Sequence, residues 1–520
     1  MATPDVVVVS NRGPLSFSYG ADGGLVPRDG AGGLASAFHP LLAGSGVTWI
    51  SGTISEADRE AASKGLFKLD GAVLVPLVPD VSSYRMAYDV ISNATLWFIY
   101  HGLFDLVRRP RFERRWHEAW ERYREINDLF AGAIAEHAPP NACVLVQDYH
   151  LSLVGARLRQ DRPDLRTVHF SHTPFCSPAE LGILPTRIAS ELLGGMAQFG
   201  ACGFHTRRWA ASFRDCCKQL HIDQPTRLPG RAKSDYGVAS AELTTAELAA
   251  GRLTADKPTT GGPTTDHRLL GPHLPSLPST FSASLSPDKG RLAAIAASDE
   301  CGKAFSALED VIGDRKLILR VDRMDPSKNF LRGFLAYDEL LHSEPALRER
   351  IVFIALSYAT RENLADYTGY RLEVETLVNQ INERWATPGW TPIVLEVKDD
   401  LPSAVAALRR YDVLLVNPLR DGLNLVAKEG ALVNANSGVI VLSREAGVIE
   451  ELGDLTIDIN PFDISETAAA LSNALSMDPS ERSQRAAALR NRVVGQSSKT
   501  WLNRQVAAAQ RAHSRSTPTQ

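Results

Sequence analysis

Residues 413–430 read VLLVNPLRDGLNLVAKEG, a stretch that leaves the backbone few choices. Val413–Val416 is an unbroken apolar run, the pattern of a parallel strand buried on both faces. Asn417-Pro418 ends it, because proline has no N–H to give a central ladder. After the loop Leu419-Arg420-Asp421-Gly422, residues 423–433 read as a helix. A strand thus empties into a loop that meets a helix N-terminus, with unpaired N–H groups and a partial positive charge. Such a terminus seats an anionic ligand group. Asp421 lies in the loop and Glu429 about two turns further on, so the two carboxylates can reach opposite ends of one ligand. An ordinary strand–loop–helix unit, with a solvated Asp and a surface Glu, fits the same pattern equally well.

The unit recurs along the chain. Apolar or β-branched runs predict strands at Val6–Ser10, 143–146, 167–170, 200–204, 316–321, 351–356, Ile393–Val397 and 438–443. Helical stretches are expected at 108–135, 207–220, 290–297, 304–311, from about 330, at 403–410 and from 460 onward. The fold class read from this alternation is α/β. In open α/β sheets ligands bind at the carboxyl ends of strands. Asp148 and His172 both sit at such ends, although a lone His is more often structural. Arg323 and Lys328 flank the loop after the strand at 316–321, placed to clamp a diphosphate; two solvated cations are the alternative. Ser327 suits a helix N-cap there. Residues 20–33 are rich in glycine and precede a candidate helix at 34–42. They suit a close backbone approach to phosphate or a plain surface turn, and the spacing is not a dinucleotide fingerprint. The aromatic-rich stretch 88–104 could be core or a platform for a sugar face.

The 520 residues suffice for two or three domains. With 44% hydrophobic and 22% charged residues, the composition is that of a soluble globular protein. A net charge of −4 gives no global argument for nucleic acid or an anionic membrane. No run reaches the length of a membrane span, and the apolar run at 6–9 is too short for a signal-peptide core. The six cysteines form no CxxC, and Cys216 and Cys217 are adjacent. That pattern suits neither a zinc site nor a disulfide framework, so a reduced, cytoplasmic setting is expected. Residues 224–287 are rich in Thr, Pro, Gly and Ala and lose all periodicity, which reads as a linker or insertion. The resulting division is 1–223, a linker at 224–287, 288–475, a helix at 476–512 and a disordered tail at 513–520.

Several motifs stand in one order: SNRGPL with GAGGL, SNATLW, VQDYHL, FSHTPF, VDRMDPSKN, PLRDGLNLVAKE and VLSREAG. Together they resemble the trehalose-6-phosphate synthase family of retaining glycosyltransferases, over about 10–220 and 315–465. The resemblance implies a GT-B fold, two Rossmann-like domains facing across a cleft, with the last helix returning to the first domain. It implies glucose transfer from UDP- or GDP-glucose to glucose 6-phosphate, with retention and with neither metal nor cofactor.

Carried over residue by residue, the resemblance puts the donor diphosphate between Gly33, Arg323 and Lys328. It puts donor glucose at His172 and Asp421 with the backbone of Gly422, Leu423, Asn424 and Leu425, and the ribose at Glu429. Arg12, Tyr88, Trp97, Asp148 and Arg361 match the acceptor site. Asp148, His172, Arg323, Lys328 and Asp421 form the catalytic set. Small-molecule substrates are the expected partners, and a homo-oligomer is left open. Residues 224–287 depart from the family, which has a short strand before the next helix. A changed acceptor, such as a cyclitol or glycerol phosphate, and a silent sugar-phosphate-binding regulator are the competing readings. A dehydrogenase is disfavoured, because the N-terminal loop lacks the dinucleotide fingerprint.

Overall fold

The computed structural model describes residues 5–29, 46–220 and 277–516. Its first half is a parallel sheet built from β1 (Val6–Ser10), β4 (Val47–Gly52), β5 (Ala72–Leu77), β6 (Cys143–Gln147), β7 (Arg166–Ser171), β8 (Ala201–Phe204) and β9 (Ser279–Ser282). A small antiparallel hairpin, β2 (Leu15–Tyr19) and β3 (Leu25–Asp29), stands beside it. The sheet order is β5-β4-β1-β6-β7-β8-β9. The order turns around at β1, which pairs with β4 on one side and β6 on the other. Both neighbours are parallel to it, so β1 and β6 deliver Arg12 and Asp148 to one edge.

The second sheet holds β10 (Lys316–Arg323), β11 (Ile351–Tyr358), β12 (Ile393–Val397), β13 (Val413–Val416), β14 (Val439–Ser443) and β15 (Ile457–Ile459). Its order is β12-β11-β10-β13-β14-β15. Here the reversal lies between β10 and β13, with Ile318 opposite Val413. The segments leaving those two strands carry Lys328 and Asp421. Near-continuous burial of β1, β6, β13 and β14 agrees with the apolar runs that predict them.

Helices cover both sheets. The longest is α1 (Arg114–His137), which buries Trp116, Trp120, Tyr123, Ile126 and Phe130 at helical spacing. Ahead of it the chain is helical over 81–101, and Met86–Leu96 winds as a wide π-type turn, a form often met at functional sites. In the second half α2 (Phe330–Ser343) and α3 (Leu425–Val433) follow the loops after β10 and β13. α4 (Pro479–Val494) packs on α3 and β14, whereas α5 (Ser498–Ser516) packs on β6, β7, β8 and β9. Ala508 and Ala509 meet Cys143, Leu145, Val168 and Ala201 in one cluster. Small residues let that helix lie close against the first sheet.

The structure departs from the sequence expectations at several places. The return to the first sheet begins after α4, not at 476, and the backbone is helical to Ser516, beyond the tail boundary placed at 513. β9 lies inside the stretch read as a linker: Ser279–Ser282 is too short and polar to signal a strand, and pairing with β8 makes it one. β4 and β5 carry no reading at all in the sequence analysis, and the hairpin β2–β3 occupies part of the glycine-rich segment. Gly33, the candidate helix at 34–42 and residues 224–276 lie outside the described residues.

The crossings between halves converge on one ammonium. Lys428, fully buried on α3, shares its three N–H groups among Ser284 Oγ (2.7 Å), the Leu285 carbonyl (2.9 Å), Glu451 (2.9 Å) and Gln496 Oε1 (2.9 Å). Ser284 and Leu285 follow β9, and Gln496 precedes α5. Burying an amine is costly unless its N–H groups are paired, and here both connections supply the partners. All six cysteines are buried free thiols. No helix among the described residues is long and apolar enough to cross a membrane.

Candidate active site

β10 ends in a turn dense with charge. Asp325 caps the single helical turn Pro326–Lys328, its Oδ1 accepting from Ser327 N (3.0 Å) and Ser327 Oγ (2.9 Å). The expected cap, Ser327, is therefore the capped residue. Asn329, at φ +60°, starts α2 instead, with its amide donating to the carbonyls of Asn417 and Pro461. Asparagine tolerates this left-handed backbone better than most residues.

The turn aims Lys328 at the loop after β13. Its Nζ lies 2.6 Å from Asp421 Oδ2 and 3.2 Å from Asp322 Oδ1. Burial works against the ammonium, but the two carboxylates outweigh it and hold its pKa above the ordinary lysine value. Burial likewise raises Asp421, yet Lys328 and the further positive charge around it bring that carboxyl down to about 2. Arg323 stands beside this pair and faces Asp325 at 3.7 Å.

Asp421 is set by its backbone, whose N–H donates to the Glu445 carbonyl and whose carbonyl accepts from Gly447 N. Asn424, at φ +81°, caps α3: its Oδ1 accepts from Ala427 N (3.2 Å) and its Nδ2 donates to Asp421 Oδ2 (3.2 Å). The helix thus starts at Leu425, two residues later than the sequence pattern suggests, and Gly422 and Leu423 belong to the loop. Gly422 is pressed against the first half. A Cβ there would stand 1.9 Å from the His172 carbonyl oxygen, so only glycine fits. The carboxylate of Glu429, half-buried on α3, has no hydrogen bond or ion pair with another described residue, and burial pushes its pKa up to about 7.

The first half contributes the opposite wall. Asp148 sits at φ +71°, an uncommon backbone for a non-glycine residue, secured by its N–H to the Phe170 carbonyl (2.7 Å). Its carboxylate accepts from His172 N (3.1 Å), while burial pushes its pKa up to about 6. Both nitrogens of His172 are occupied: Nε2 lies 3.0 Å from Gln147 Oε1 and Nδ1 lies 3.2 Å from His205 Nε2. Because an amide oxygen only accepts, Nε2 carries the proton. Burial, with two neighbouring histidines, holds the ring neutral.

Nearby, Arg12 donates to the Tyr88 hydroxyl (3.2 Å), and Tyr88 stacks between Tyr84 and His150. Arg361, from the loop after β11, crosses the cleft to this wall. It donates to the hydroxyls of Tyr149 (3.3 Å) and Tyr367 and lies 5.2 Å above the Trp97 ring. Trp97 is 2% exposed and stacks on His101, so it is core and wall at once.

A sequence profile described as glycosyltransferase family 20 matches residues 4–254 and 275–511. A trehalose-6-phosphate synthase of Mycolicibacterium smegmatis is 31% identical over 504 residues, 96% of this chain and 91% of that protein. The chain belongs to glycosyltransferase family 20. It is therefore a glycosyltransferase, and its two parallel sheets with their flanking helices form a GT-B fold. Among solved structures, one described as trehalose-6-phosphate from E. coli bound with UDP-2-fluoro glucose superposes with a TM-score of 0.76 at 26% identity, over 97% of this chain and 98% of that one. A UDP-forming α,α-trehalose-phosphate synthase of Burkholderia xenovorans in complex with glucose-6-phosphate gives 0.75 at 27% identity, over 97% and 100%.

In this family 20 chain the described residues of the predicted site, Leu425 and Glu429 apart, come from two facing sets of loops and strand ends, with Tyr88 and Trp97 on the helical stretch 81–101. Arg323, Lys328, Asp421–Asn424 and Arg361 approach from the second half; Arg12, Tyr88, Trp97, Asp148 and His172 from the first. Leu425 and Glu429 stand on α3, with Glu429 one turn beyond Leu425. Sequence reasoning missed Asp322, Asp325, Gln147, Tyr149, His205, Tyr367 and Gln505. Asp322, Asp325, Gln147 and Tyr149 lie inside motifs already singled out, VDRMDPSKN and VQDYHL, so the signal was present there. Tyr367, His205 and Gln505 carry no local mark.

Proposed function

We propose that this enzyme transfers glucose from a nucleotide-glucose to glucose 6-phosphate, giving α,α-trehalose 6-phosphate with retention. The observation that carries the reading is the pairing of two cationic groups in one cleft. Arg323 and Lys328 stand on the side of Asp421, and Arg12 and Arg361 on the side of Asp148. One group suits a diphosphate and the other a monophosphate, as guanidinium forks match both. The bound ligands of the E. coli and Burkholderia neighbours are of these two kinds.

In this reading Arg323, Lys328 and Gly33 hold the diphosphate, and fixed cations stabilise the leaving nucleoside diphosphate as charge develops on it. Asp421, His172 and the Gly422–Leu425 backbone orient the donor glucose, and Glu429 accepts from the ribose hydroxyls. Arg12 and Arg361, backed by Tyr88 and Trp97, take the 6-phosphate, and Asp148 faces the acceptor sugar. The attacking acceptor hydroxyl approaches on the face the diphosphate leaves. The C–O bond to phosphate breaks, the new glycosidic C–O bond forms, and the hydroxyl proton passes to the departing phosphate oxygen. No protein nucleophile is then required, unlike the paired carboxylates of retaining glycosidases. The work left to the chain is to position both substrates.

The UDP-forming relatives favour UDP-glucose over GDP-glucose. The test is to mix the protein with glucose 6-phosphate and each nucleotide-glucose in turn, following nucleotide release and identifying the product by mass. Trehalose 6-phosphate from one mixture is the expected result and names the donor. Nucleotide release without that product, or none at all from folded protein, would overturn the reading.

A further inference from the structure

Asp325 is more than a turn cap. It is wholly buried, and its Oδ1 alone does the capping, taking both hydrogen bonds from Ser327. Its Oδ2 is buried without a hydrogen bond, yet lies 3.7 Å from Arg323 Nη2 and 3.5 Å from Arg361 Nη1. A neutral amide would cap the turn equally well. Keeping a charged carboxylate out of water is costly unless that charge is used.

The two guanidinium groups come from different places, one from the end of β10 and the other from the loop after β11. Like charges so close repel, and one anion between them holds both at a set distance. Their other restraints are unequal. Arg361 is also held by Tyr149 and Tyr367, whereas Asp325 is the one ion-pair partner of Arg323 among the described residues. His101, Tyr367 and Tyr370 are the further titratable groups near this carboxylate, and burial keeps His101 neutral, down at about 4.

We propose that Asp325 is the shared positioning residue of the two phosphate sites: its Oδ2 sets Arg323 and Arg361 together, so that losing its charge loosens both. The proposal rests on the site reading given under Proposed function. Asp325 itself touches neither substrate.

Calorimetry with the full chain, using UDP or GDP for one site and glucose 6-phosphate for the other, separates the possibilities. Asp325→Asn keeps an oxygen for the Ser327 cap and removes only the charge. It is expected to weaken nucleoside diphosphate binding about tenfold and glucose 6-phosphate binding about fivefold, the scale of a lost charge-assisted contact. Ser327→Ala, which alters the cap alone, is expected to leave both affinities within about twofold. A D325N protein that loses one affinity or neither overturns the proposal, as does equal loss in S327A.

If D325N does not fold, Arg361→Lys serves in its place, probed with the nucleoside diphosphate alone. A change of about threefold or more supports the link through Asp325, because an ammonium at that position cannot offer the same fork; an unchanged affinity sinks it. Wild-type protein that binds both ligands but makes no trehalose 6-phosphate defeats the reaction assignment and leaves the binding comparison standing as the test. Wild-type protein that binds neither defeats both.

Discussion

Lys328 Nζ lies 2.6 Å from Asp421 Oδ2, and this contact joins the turn after β10 to the loop after β13. The two residues are 93 positions apart in the chain and meet because β10 and β13 are neighbours in the sheet. Together they make a buried ion pair, whose cation the proposed reaction assigns to the departing phosphate.

Replacing Lys328 or Arg323 by Ala is therefore expected to act on turnover. Each variant should lose about 10²–10³ in kcat, the usual scale for removing a preorganised charge-stabilising group, with smaller changes in the acceptor KM. K328A should in addition lose about 3–5 kcal/mol of stability at neutral pH, because Asp421 is left buried without its cation. Steady-state kinetics and denaturant unfolding read the two effects. Unchanged kcat in both variants would remove these residues from the chemistry.

The Glu429 carboxyl is raised to about 7 against an ordinary 4.5. The folded state thus holds its proton longer than the unfolded chain. Its contribution to stability is full below about pH 4.5 and is lost as pH rises through about 7. An ionised Glu429 is the better acceptor for ribose hydroxyls. Binding of the nucleotide-glucose should therefore tighten between about pH 6 and 8, and E429Q should flatten that dependence. Calorimetric titrations across this range check it, and a slope that survives in E429Q assigns it to another group.

Gly422→Ala is expected to hold the two halves apart. Its Cβ would meet the His172 carbonyl oxygen at 1.9 Å, and a backbone oxygen cannot give way as a flexible side chain can. The opposing segments must separate, carrying Asp421 away from Asp148. Expected are a loss of about 10² in kcat/KM, from misplacement of the order of 1 Å, and a larger radius of gyration by small-angle scattering. Full activity would show that the contact opens freely in solution.

Gln505, on the last helix, is linked to His172 through one intermediate. Gln147 Nε2 donates to Gln505 Oε1 (3.1 Å), and Gln147 Oε1 accepts from His172 Nε2. Gln505→Leu leaves one N–H of the buried Gln147 amide unpaired while the other stays on the Leu145 carbonyl, at a cost of about 1–3 kcal/mol. A lower melting temperature should accompany weaker donor binding, because Gln147 no longer holds the imidazole in one orientation. A variant with the lower melting temperature alone would confine Gln505 to a structural role.

Much of the scaffold is legible in the chain itself. Parallel strands buried on both faces must be continuous apolar runs, and the Asn-Pro and Asp-Tyr steps that break them fall at their carboxyl ends, whereas β10 runs on through Asp322-Arg323. The runs at 413–416, 143–146 and 316–321 are located on this local ground, one or two residues short of β6 and β10, and Asp421, Asp148 and Arg323 with them. The sequence alone therefore determined which residues stand at sheet edges and which helices follow. What it could not contain is which edges meet. Arg361 reaches Tyr149 across 212 positions, Lys428 gathers Ser284 from before α3 in the chain and Gln496 from after it, and Ser279–Ser282 is a strand only because β8 lies beside it. Asp325 reads locally as a turn residue and becomes a junction only when two arginines are brought to its second oxygen. These outcomes follow from sheet order and from the packing of one half on the other. A side chain's partners across a cleft depend on long-range geometry, which no neighbour in the sequence records.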